Sequence, residues 1–315
     1  MLSSTPRRER KDHEDRKVFF SLRAWRAWRS CLVALTAVVA LQARPLQAWG
    51  RLGHRLTGLI AAARLTPVAR QNVTWLLDGQ SLADVSSWAD AQVGAWVQTS
   101  WWHYLDIPPD ASGYDRDRDC PRQPNVEAGS RNDRWRDCAV DRILYFEERM
   151  RDTTLDRADR ATALKFLVHF VEDLHQPFHT LGVGRGGNDV HVSVFGVTEC
   201  GNDPARPVPC NLHQVWDSRL ISHRGLDEQQ YLATLEQQIR DRHWDAEART
   251  PGTVVQWTEE SFMLAKAALV PPDTNIDEAY YRTQIPVVDR RLAFAGLRLA
   301  AVLNELLRTP PPSRP

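Results

Sequence analysis

The chain has 315 residues, of which 43% are hydrophobic and 25% are charged, and its formal net charge is +0. This composition is typical of a soluble globular protein and excludes a fibrous or low-complexity chain. Residues 1–48 contain ten Lys/Arg and four Asp/Glu, so the totals of 40 and 40 leave 30 basic and 36 acidic residues for 49–315. The resulting net charge of −6 excludes a protein that coats DNA independently of sequence, because such binding relies on Lys and Arg.

The first 48 residues have the features of a secretory signal peptide. Three arginines between residues 23 and 29 precede an apolar run over 31–41, which is short for a membrane span. Leu46-Gln-Ala48 is an acceptable cleavage site, and an uncleaved membrane anchor is the alternative. We therefore expect the signal peptide to be removed, leaving a mature chain that begins at Trp49 and has no stable membrane association.

Helical periodicity dominates the rest of the chain. It predicts helices over residues 50–64, 66–77, 81–95, 132–150, 156–175, 211–221, 227–242, 255–268 and 276–308. The aromatic segment 101–108 is predicted to be extended, and the alternation over 190–195 predicts a small β-hairpin. We expect an all-α, single-domain multi-helix bundle over residues 49–308, with a minor β-hairpin, and a disordered Pro-rich tail over 309–315.

Four cysteines remain after the predicted cleavage site. They are Cys120, Cys138, Cys200 and Cys210. An even number in an exported chain indicates disulfides, and the simplest pairing is Cys120–Cys138 and Cys200–Cys210. Zinc ligation by thiolates is the alternative, but the chain has no Cys-x-x-Cys spacing.

The most informative feature is a pair of His–Asp spacings. His169 and Asp173 are four residues apart, as are His213 and Asp217, so each pair projects from one helix face. His179 lies between the two pairs in the sequence. Imidazole and carboxylate groups are ligands that zinc prefers. With His54, Asp90, His103 and the amine of Trp49, the chain offers enough donors for three zinc ions if one carboxylate bridges.

Six motifs occur in an order that is specific to a known family. They are Trp-Gly-x3-His, Ser-Trp-Ala-Asp, Trp-His-Tyr, His-Phe-x2-Asp-x-His-Gln-Pro-x-His, Gly-Gly-Asn-Asp and Asn-Leu-His-x-Val-Trp-Asp. Over residues 49–306 the chain thereby resembles the zinc-dependent single-strand-specific nucleases of fungi, plants and bacteria. The resemblance implies an all-α fold, three Zn²⁺ and cleavage of single-stranded DNA and RNA to 5′-nucleotides, with removal of phosphate from 3′-nucleotides in many members.

The resemblance also implies a role for each candidate ligand. One zinc ion is held by Asp90, His103, His169 and Asp173; a second by the amine and carbonyl oxygen of Trp49, with His54 and Asp173; a third by His179, His213 and Asp217. Asp173 then bridges two ions, and Asp90 also holds or deprotonates the attacking water. Because the amine of Trp49 is free only after cleavage, export and activation are expected to be coupled.

Residues outside the ligand set are expected to contact the substrate. The resemblance implies that Tyr104 stacks on a base, that Asp106 accepts hydrogen bonds from a base edge and that Asn188 lies near the scissile phosphate. A core tyrosine and a capping aspartate are the alternatives. Arg185 is either a phosphate contact or a surface arginine. Glu172 either orients an imidazole or lies on a solvated helix face, and the second reading is favoured.

Two other functions remain open at this point. A zinc-dependent phospholipase C shares the tryptophan-led trinuclear site, but Tyr104 and Asp106 favour a nucleobase. An exported, non-catalytic zinc-binding protein is the alternative of another class, although every expected ligand is present. The partners expected are single-stranded DNA, RNA and 3′-nucleotides, for a monomer that is secreted or periplasmic in a Gram-negative bacterium.

Overall fold

A computed structural model describes residues 49–127, 130–201, 205, 207–248 and 251–311. The predicted signal peptide over 1–48 and residues 312–315 of the predicted tail lie outside this range. Within the tail, the carbonyl oxygen of Thr309 accepts a hydrogen bond of 2.8 Å from the Asn72 side chain. The chain is therefore held against the body of the protein at least to Thr309.

The described chain is mainly helical, as predicted. The α-helices are α1 (Arg51–Ala63), α2 (Pro67–Leu76), α3 (Leu82–Val85), α4 (Arg116–Asp119), α5 (Ala139–Arg151), α6 (Arg157–Asp173), α7 (Gly184–Gly187), α8 (Leu212–Gln214), α9 (Leu220–His223), α10 (Glu228–Asp241), α11 (Trp244–Glu247), α12 (Val254–Ala268) and α13 (Glu278–Leu306). Four 3₁₀ segments (Asp90–Gln92, Val97–His103, Arg131–Arg134 and Pro177–His179), one π-helical segment (Val215–Arg219) and the strands β1 (Ser193–Val194) and β2 (Asn275–Ile276) complete the description.

The small β element differs from the predicted hairpin. β1 pairs in parallel with β2, with Ser193 opposite Asn275 and Val194 opposite Ile276. The backbone turns at Phe195, and the antiparallel contacts of this segment are isolated bridges: His191 with Asn211, Val194 with Val197 and Glu199 with Pro209. Alternation indicates an extended segment, but it carries no information about a partner more than 80 residues away.

The aromatic segment 101–108 is only partly extended. Val97–His103 is a 3₁₀ helix, and the extended backbone begins at Tyr104 and reaches Ile107, which bridges Leu181. The sequence prediction was therefore wrong for the first three residues, because tertiary packing overrides the β-propensity of aromatic side chains. Trp102 packs its ring against Phe146 and Phe166.

Helix α6 is the central element. It contacts α1, α2, α3, α5 and α13, so it is covered on several sides. Leu164, Leu167, Phe170 and Val171 are fully buried. The long helix α13 lies against α1, where a Cβ at Gly296 would fall 2.7 Å from Cβ of Ile60, so this crossing requires glycine. The polar residues of α6 are thus placed in a rigid, dry environment.

Two disulfides join the pairs that the sequence suggested, Cys120–Cys138 and Cys200–Cys210. Each closes a local loop, with sequence separations of 18 and 10 residues. Across the described part of the chain, no helix is both long enough and apolar enough to pass through a bilayer.

Candidate metal centre and adjoining cavity

His169 and Asp173 lie one turn apart at the end of α6, both fully buried. His169 Nε2 is 3.0 Å from Asp173 Oδ2, as the spacing of four predicts. His103, the last residue of its 3₁₀ helix, brings Nδ1 to 2.9 Å from the same oxygen. Asp90 Oδ1 is 3.3 Å from His169 Nε2. The four side chains expected to share one metal therefore meet at a single point.

His54 approaches Asp173 from the opposite side. Its Nε2 is 3.5 Å from Asp173 Oδ1, the carboxylate oxygen that His103 and His169 do not contact. The two oxygens of Asp173 therefore face different donor groups, which is the arrangement that a bridging carboxylate needs.

Trp49 lies beside this group. It is fully buried, and its indole Nε1 donates a 3.0 Å hydrogen bond to the carbonyl oxygen of Glu172. The next residue, Gly50, donates its backbone N–H to the carbonyl oxygen of Asp217 at 2.7 Å. The backbone at 49–50 thus connects the end of α6 with the segment that carries Asp217.

His179, His213 and Asp217 form a second group. His213 Nε2 is 3.4 Å from Asp217 Oδ2, and His179 Nε2 is 4.0 Å from Asp217 Oδ1. The His213 and His179 rings are stacked, with centroids 5.0 Å apart. Asp217 lies in the π-helical segment, a departure from α-helical geometry that is frequent at functional sites.

The Gly-Gly turn fixes His213. Gly186 has φ +67°, and a Cβ there would lie 2.5 Å from the carbonyl oxygen of Phe178, so only glycine fits. The carbonyl oxygen of Gly186 accepts a 2.7 Å hydrogen bond from His213 Nδ1. The close contact with Phe178 therefore requires glycine at this position, and the turn leads directly to the predicted substrate residue Asn188.

Most of the histidines use Nδ1 for a hydrogen bond and direct Nε2 into a cluster. Nδ1 of His54 contacts Glu172 Oε2 at 2.6 Å, that of His169 contacts the Ser86 carbonyl at 2.6 Å, and that of His179 contacts the His103 carbonyl at 2.9 Å. Such contacts fix the tautomer and ring orientation of metal-binding histidines. His103 differs, because its Nδ1 is directed towards the candidate ligand Asp173.

Several buried polar atoms in the clusters lack a hydrogen-bond partner among the described residues. They are His54 Nε2, Asp90 Oδ1, His103 Nε2, Asp173 Oδ1 and His179 Nε2. An unpartnered buried donor or acceptor costs about 1–3 kcal/mol, so a concentration of them in one place requires a physical reason. Divalent metal ions fit this donor set. Three His/Asp groups, two of which share His169, each have donor atoms within 4.8 Å of one another.

The electrostatics of the site divide its residues into charged and neutral groups. Burial opposes charge throughout, but Asp173 and Asp90 raise the pKa of His169 well above its usual value. The charge of His169 in turn overcomes burial and holds the pKa of Asp173 well below its usual value. Burial, with the neighbouring His169, lowers the pKa of His54 to about 3, so this imidazole is neutral and its nitrogen can bind a metal.

The second group has a different balance. Burial, with the neighbouring His179, lowers the pKa of His213 to about 3. Burial also raises the pKa of Asp217 well above its usual value, although the Gln176 side chain donates a 2.6 Å hydrogen bond to Asp217 Oδ1. The raised pKa favours the neutral form of this carboxyl group, and a positive charge placed beside it would favour the ionised form.

Glu172 is the clearest correction to the sequence analysis. The favoured interpretation was a solvated helix face, but Glu172 is fully buried and its carboxyl contacts His54. The interpretation was wrong because α6 is covered by neighbouring helices on the side that carries this residue. Gln176 was missed as a residue of the site, and only its place between His175 and Pro177 in a motif could have indicated it.

A cavity of about 210 Å³ opens beside the two clusters. The candidate ligands His103, His179 and His213 form one side, and the other lining residues include Trp101, Tyr104, Asp106, Arg185 and Asn188. Burial raises the pKa of Tyr104 to about 12 and also raises that of Asp106. The three predicted substrate residues therefore share one space next to the candidate ligands.

Arg185 lies at the exposed edge of this cavity. Its guanidinium pairs with Asp189 at 2.5 Å, and its backbone has φ +52°, a conformation that non-glycine residues rarely adopt. The positive charge is thus already compensated in this structure, and a phosphate contact would require the pair to open.

Comparisons with known proteins agree with this geometry. The family model described as S1/P1 nuclease matches residues 49–308. Among curated relatives, Nuclease P1 of Penicillium citrinum is 27% identical over 289 residues, covering 82% of this chain and 97% of the relative. Endonuclease 1 of Arabidopsis thaliana is 28% identical over 292 residues, covering 83% and 88%. Nuclease S1 of Aspergillus oryzae is 26% identical over 291 residues, covering 83% and 93%. The chain belongs to the S1/P1 nuclease family.

Proposed function

We propose that this protein is an exported zinc-dependent phosphodiesterase that hydrolyses single-stranded DNA and RNA to 5′-nucleotides and removes phosphate from 3′-nucleotides. The supporting observation is the set of unpartnered buried nitrogen and carboxylate atoms beside a cavity that contains a tyrosine and an aspartate. The nuclease names of the relatives support the reaction class.

We assign three zinc ions to the donor groups. Asp90, His103, His169 and Asp173 would hold the first. The amine and carbonyl oxygen of Trp49, with His54 and Asp173, would hold the second. His179, His213 and Asp217 would hold the third. Zinc bound there supplies Lewis-acid chemistry, which neutralises charge on the phosphate and makes water a stronger nucleophile at neutral pH. In the structure the negative charge of Asp173 is balanced by a proton on His169, and bound zinc would replace that proton.

The carboxylates of the chain have separable roles. Asp173 is held ionised by His169 and directs its two oxygens to different histidines, so it bridges the first two donor groups. His169 also overcomes burial to keep the pKa of Asp90 below its usual value, so this carboxylate is ionised and can hold the attacking water by accepting a hydrogen bond from it. Glu172 and the carbonyl oxygens of Ser86 and Gly186 hold imidazoles in place.

The residues that line the cavity account for the proposed preference for single-stranded substrates. Tyr104, Asp106 and Asn188 line this cavity. We assign base stacking to Tyr104, hydrogen bonds with a base edge to Asp106 and a position near the scissile phosphate to Asn188. A base inside a duplex has neither face nor edge free, so only unpaired nucleotides can enter. A zinc-dependent phospholipase C needs no such pocket, and a non-catalytic zinc-binding protein needs no open cavity beside its metals.

We also propose that the mature protein is a secreted or periplasmic monomer that begins at Trp49. The two disulfides support an oxidising compartment. A variant with one extra residue before Trp49 is expected to lose one zinc ion and most activity, because its amine is then a peptide nitrogen. Three bound zinc ions and full activity in that variant would refute ligation by the amine.

A parallel assay separates the candidate functions. The mature protein with zinc is incubated with single-stranded DNA, RNA, 3′-AMP and phosphatidylcholine. We expect hydrolysis of the two polymers and of 3′-AMP. Hydrolysis of the lipid alone would replace the nuclease proposal by a phospholipase, and no turnover of any substrate would favour the non-catalytic alternative.

A further inference from the structure

Two adjacent tryptophans precede His103, and of these two only Trp102 packs against the hydrophobic core. Trp102 packs edge-to-face against Phe166, donates its Nε1–H to Asp137 at 2.8 Å and lies under the guanidinium of Arg142 at 4.3 Å. Trp101 is 50% exposed. Among the described residues, its ring meets only one other aromatic ring, that of Tyr104. Core packing therefore does not account for Trp101.

The exposed apolar surface is concentrated at this place. Trp96, Val97 and Trp101 are three of the six large hydrophobic residues that are exposed in the described chain. Of these three, only Trp101 lines the cavity that contains Tyr104 and Asp106. Exposed aromatic surface next to a binding cavity is a common sign of a contact with a ligand.

The geometry of the two rings excludes a single shared base. The ring centroids of Trp101 and Tyr104 are 6.0 Å apart, which is less than the roughly 6.8 Å that a base needs between two faces at stacking distances of about 3.4 Å. The ring planes also differ by 41°, so one flat base cannot lie parallel to both. A base on Tyr104 leaves the Trp101 face available to a neighbouring base.

We propose that Trp101 binds substrate by stacking on the base adjacent to the one held by Tyr104, so that two consecutive unpaired nucleotides are recognised. This inference rests on the proposed nuclease function and narrows its substrate class to oligonucleotides in preference to mononucleotides. Stacking on an aromatic side chain tolerates every base, so the contact adds affinity without sequence preference.

The test combines protein variants with substrates that lack one base. Wild type, Trp101→Ala, Trp101→Phe and Val97→Ala are assayed on a trinucleotide and on two analogues in which the 5′ or the 3′ flanking base is absent. Val97→Ala is the matched control, because Val97 is exposed on the same 3₁₀ helix and does not line the cavity.

We expect Trp101→Ala to raise KM for the intact trinucleotide by about 5- to 150-fold with little change in kcat, the loss typical of one stacked base. The loss should disappear for one of the two abasic analogues. Trp101→Phe should retain most of the affinity, and Val97→Ala should match wild type.

Two results would overturn the inference: an unchanged KM in Trp101→Ala, or an equal loss on the intact and on both abasic substrates. If wild type cleaves none of these substrates, the proposed function itself fails. If wild type cleaves them and Trp101→Ala behaves identically, only the role of Trp101 fails.

Discussion

The contact between Glu172 and His54 provides the sharpest prediction about the metal centre. Glu172 Oε2 lies 2.6 Å from His54 Nδ1, and both side chains are 0% exposed. His54 Nε2 points to Asp173, so Glu172 fixes the imidazole from behind and increases the basicity of the metal-facing nitrogen. We expect Glu172→Gln to preserve the hydrogen bond, because the amide oxygen still accepts, but to remove an ionisable carboxyl group whose pKa burial raises well above its usual value.

The magnitude follows from this geometry. Loss of a residue that orients a metal-binding histidine lowers metal affinity by about 10- to 100-fold, which corresponds to about 1.4–2.7 kcal/mol. Full burial and the short contact place Glu172→Gln in this range without loss of fold. Glu172→Ala leaves a buried N–H of His54 without a partner and should additionally destabilise the protein by about 1–3 kcal/mol.

The assay measures bound zinc and nuclease activity across a series of buffered free-zinc concentrations. Glu172→Gln should need about 10- to 100-fold more free zinc for half-maximal activity, with an unchanged unfolding midpoint in excess zinc. Glu305→Gln is the matched control, because Glu305 is exposed on α13 and pairs with Arg308. Unchanged zinc dependence in both Glu172 variants would refute the role assigned to this carboxylate.

Three further predictions concern packing, protonation and cross-linking. Gly296→Ala should lower the free energy of unfolding by about 1–3 kcal/mol, because its Cβ would meet Ile60 at 2.7 Å; a denaturant titration that shows no loss would contradict the close crossing. Zinc affinity should rise with pH, because the pKa of His169 is raised and zinc must displace the proton of this imidazole. Calorimetry in buffers of different ionisation enthalpy should detect the released proton, and binding heats that do not depend on the buffer would contradict this prediction. Replacing Cys120 and Cys138 by serine should lower stability by about 3 kcal/mol in thermal unfolding, given a separation of 18 residues, and an unchanged midpoint would show that the bridge contributes little.

Most of the helices and the donor clusters could be predicted from the sequence because their signals are local. The prediction was wrong for much of 81–95, where only Leu82–Val85 is α-helical, and for the start of 132–150, where the α-helix begins at Ala139. Thr66 before Pro67 correctly marked the start of α2, where the Thr66 side chain caps Ala69. The spacing of four predicted the short distances between His169 and Asp173. Both depend only on helix geometry, which residues close in sequence determine.

Other features depend on contacts between distant segments. The partner of β1 lies more than 80 residues away, so alternation alone suggested the wrong pairing. The burial of Glu172 follows from helices packed around α6, which no periodicity in α6 itself reveals. The exposure of Trp101 beside the buried Phe170 and the half-buried Trp102 is likewise a tertiary property.

The central claim is that the buried His/Asp groups form a three-zinc centre completed by the amine of Trp49. Anomalous diffraction at the zinc edge from crystals of the mature protein, beginning at Trp49, tests it most directly. We expect three zinc peaks, two sharing Asp173 and one held by His179, His213 and Asp217. Fewer than three peaks, or a second peak without a contact to the amine of Trp49, would contradict the account.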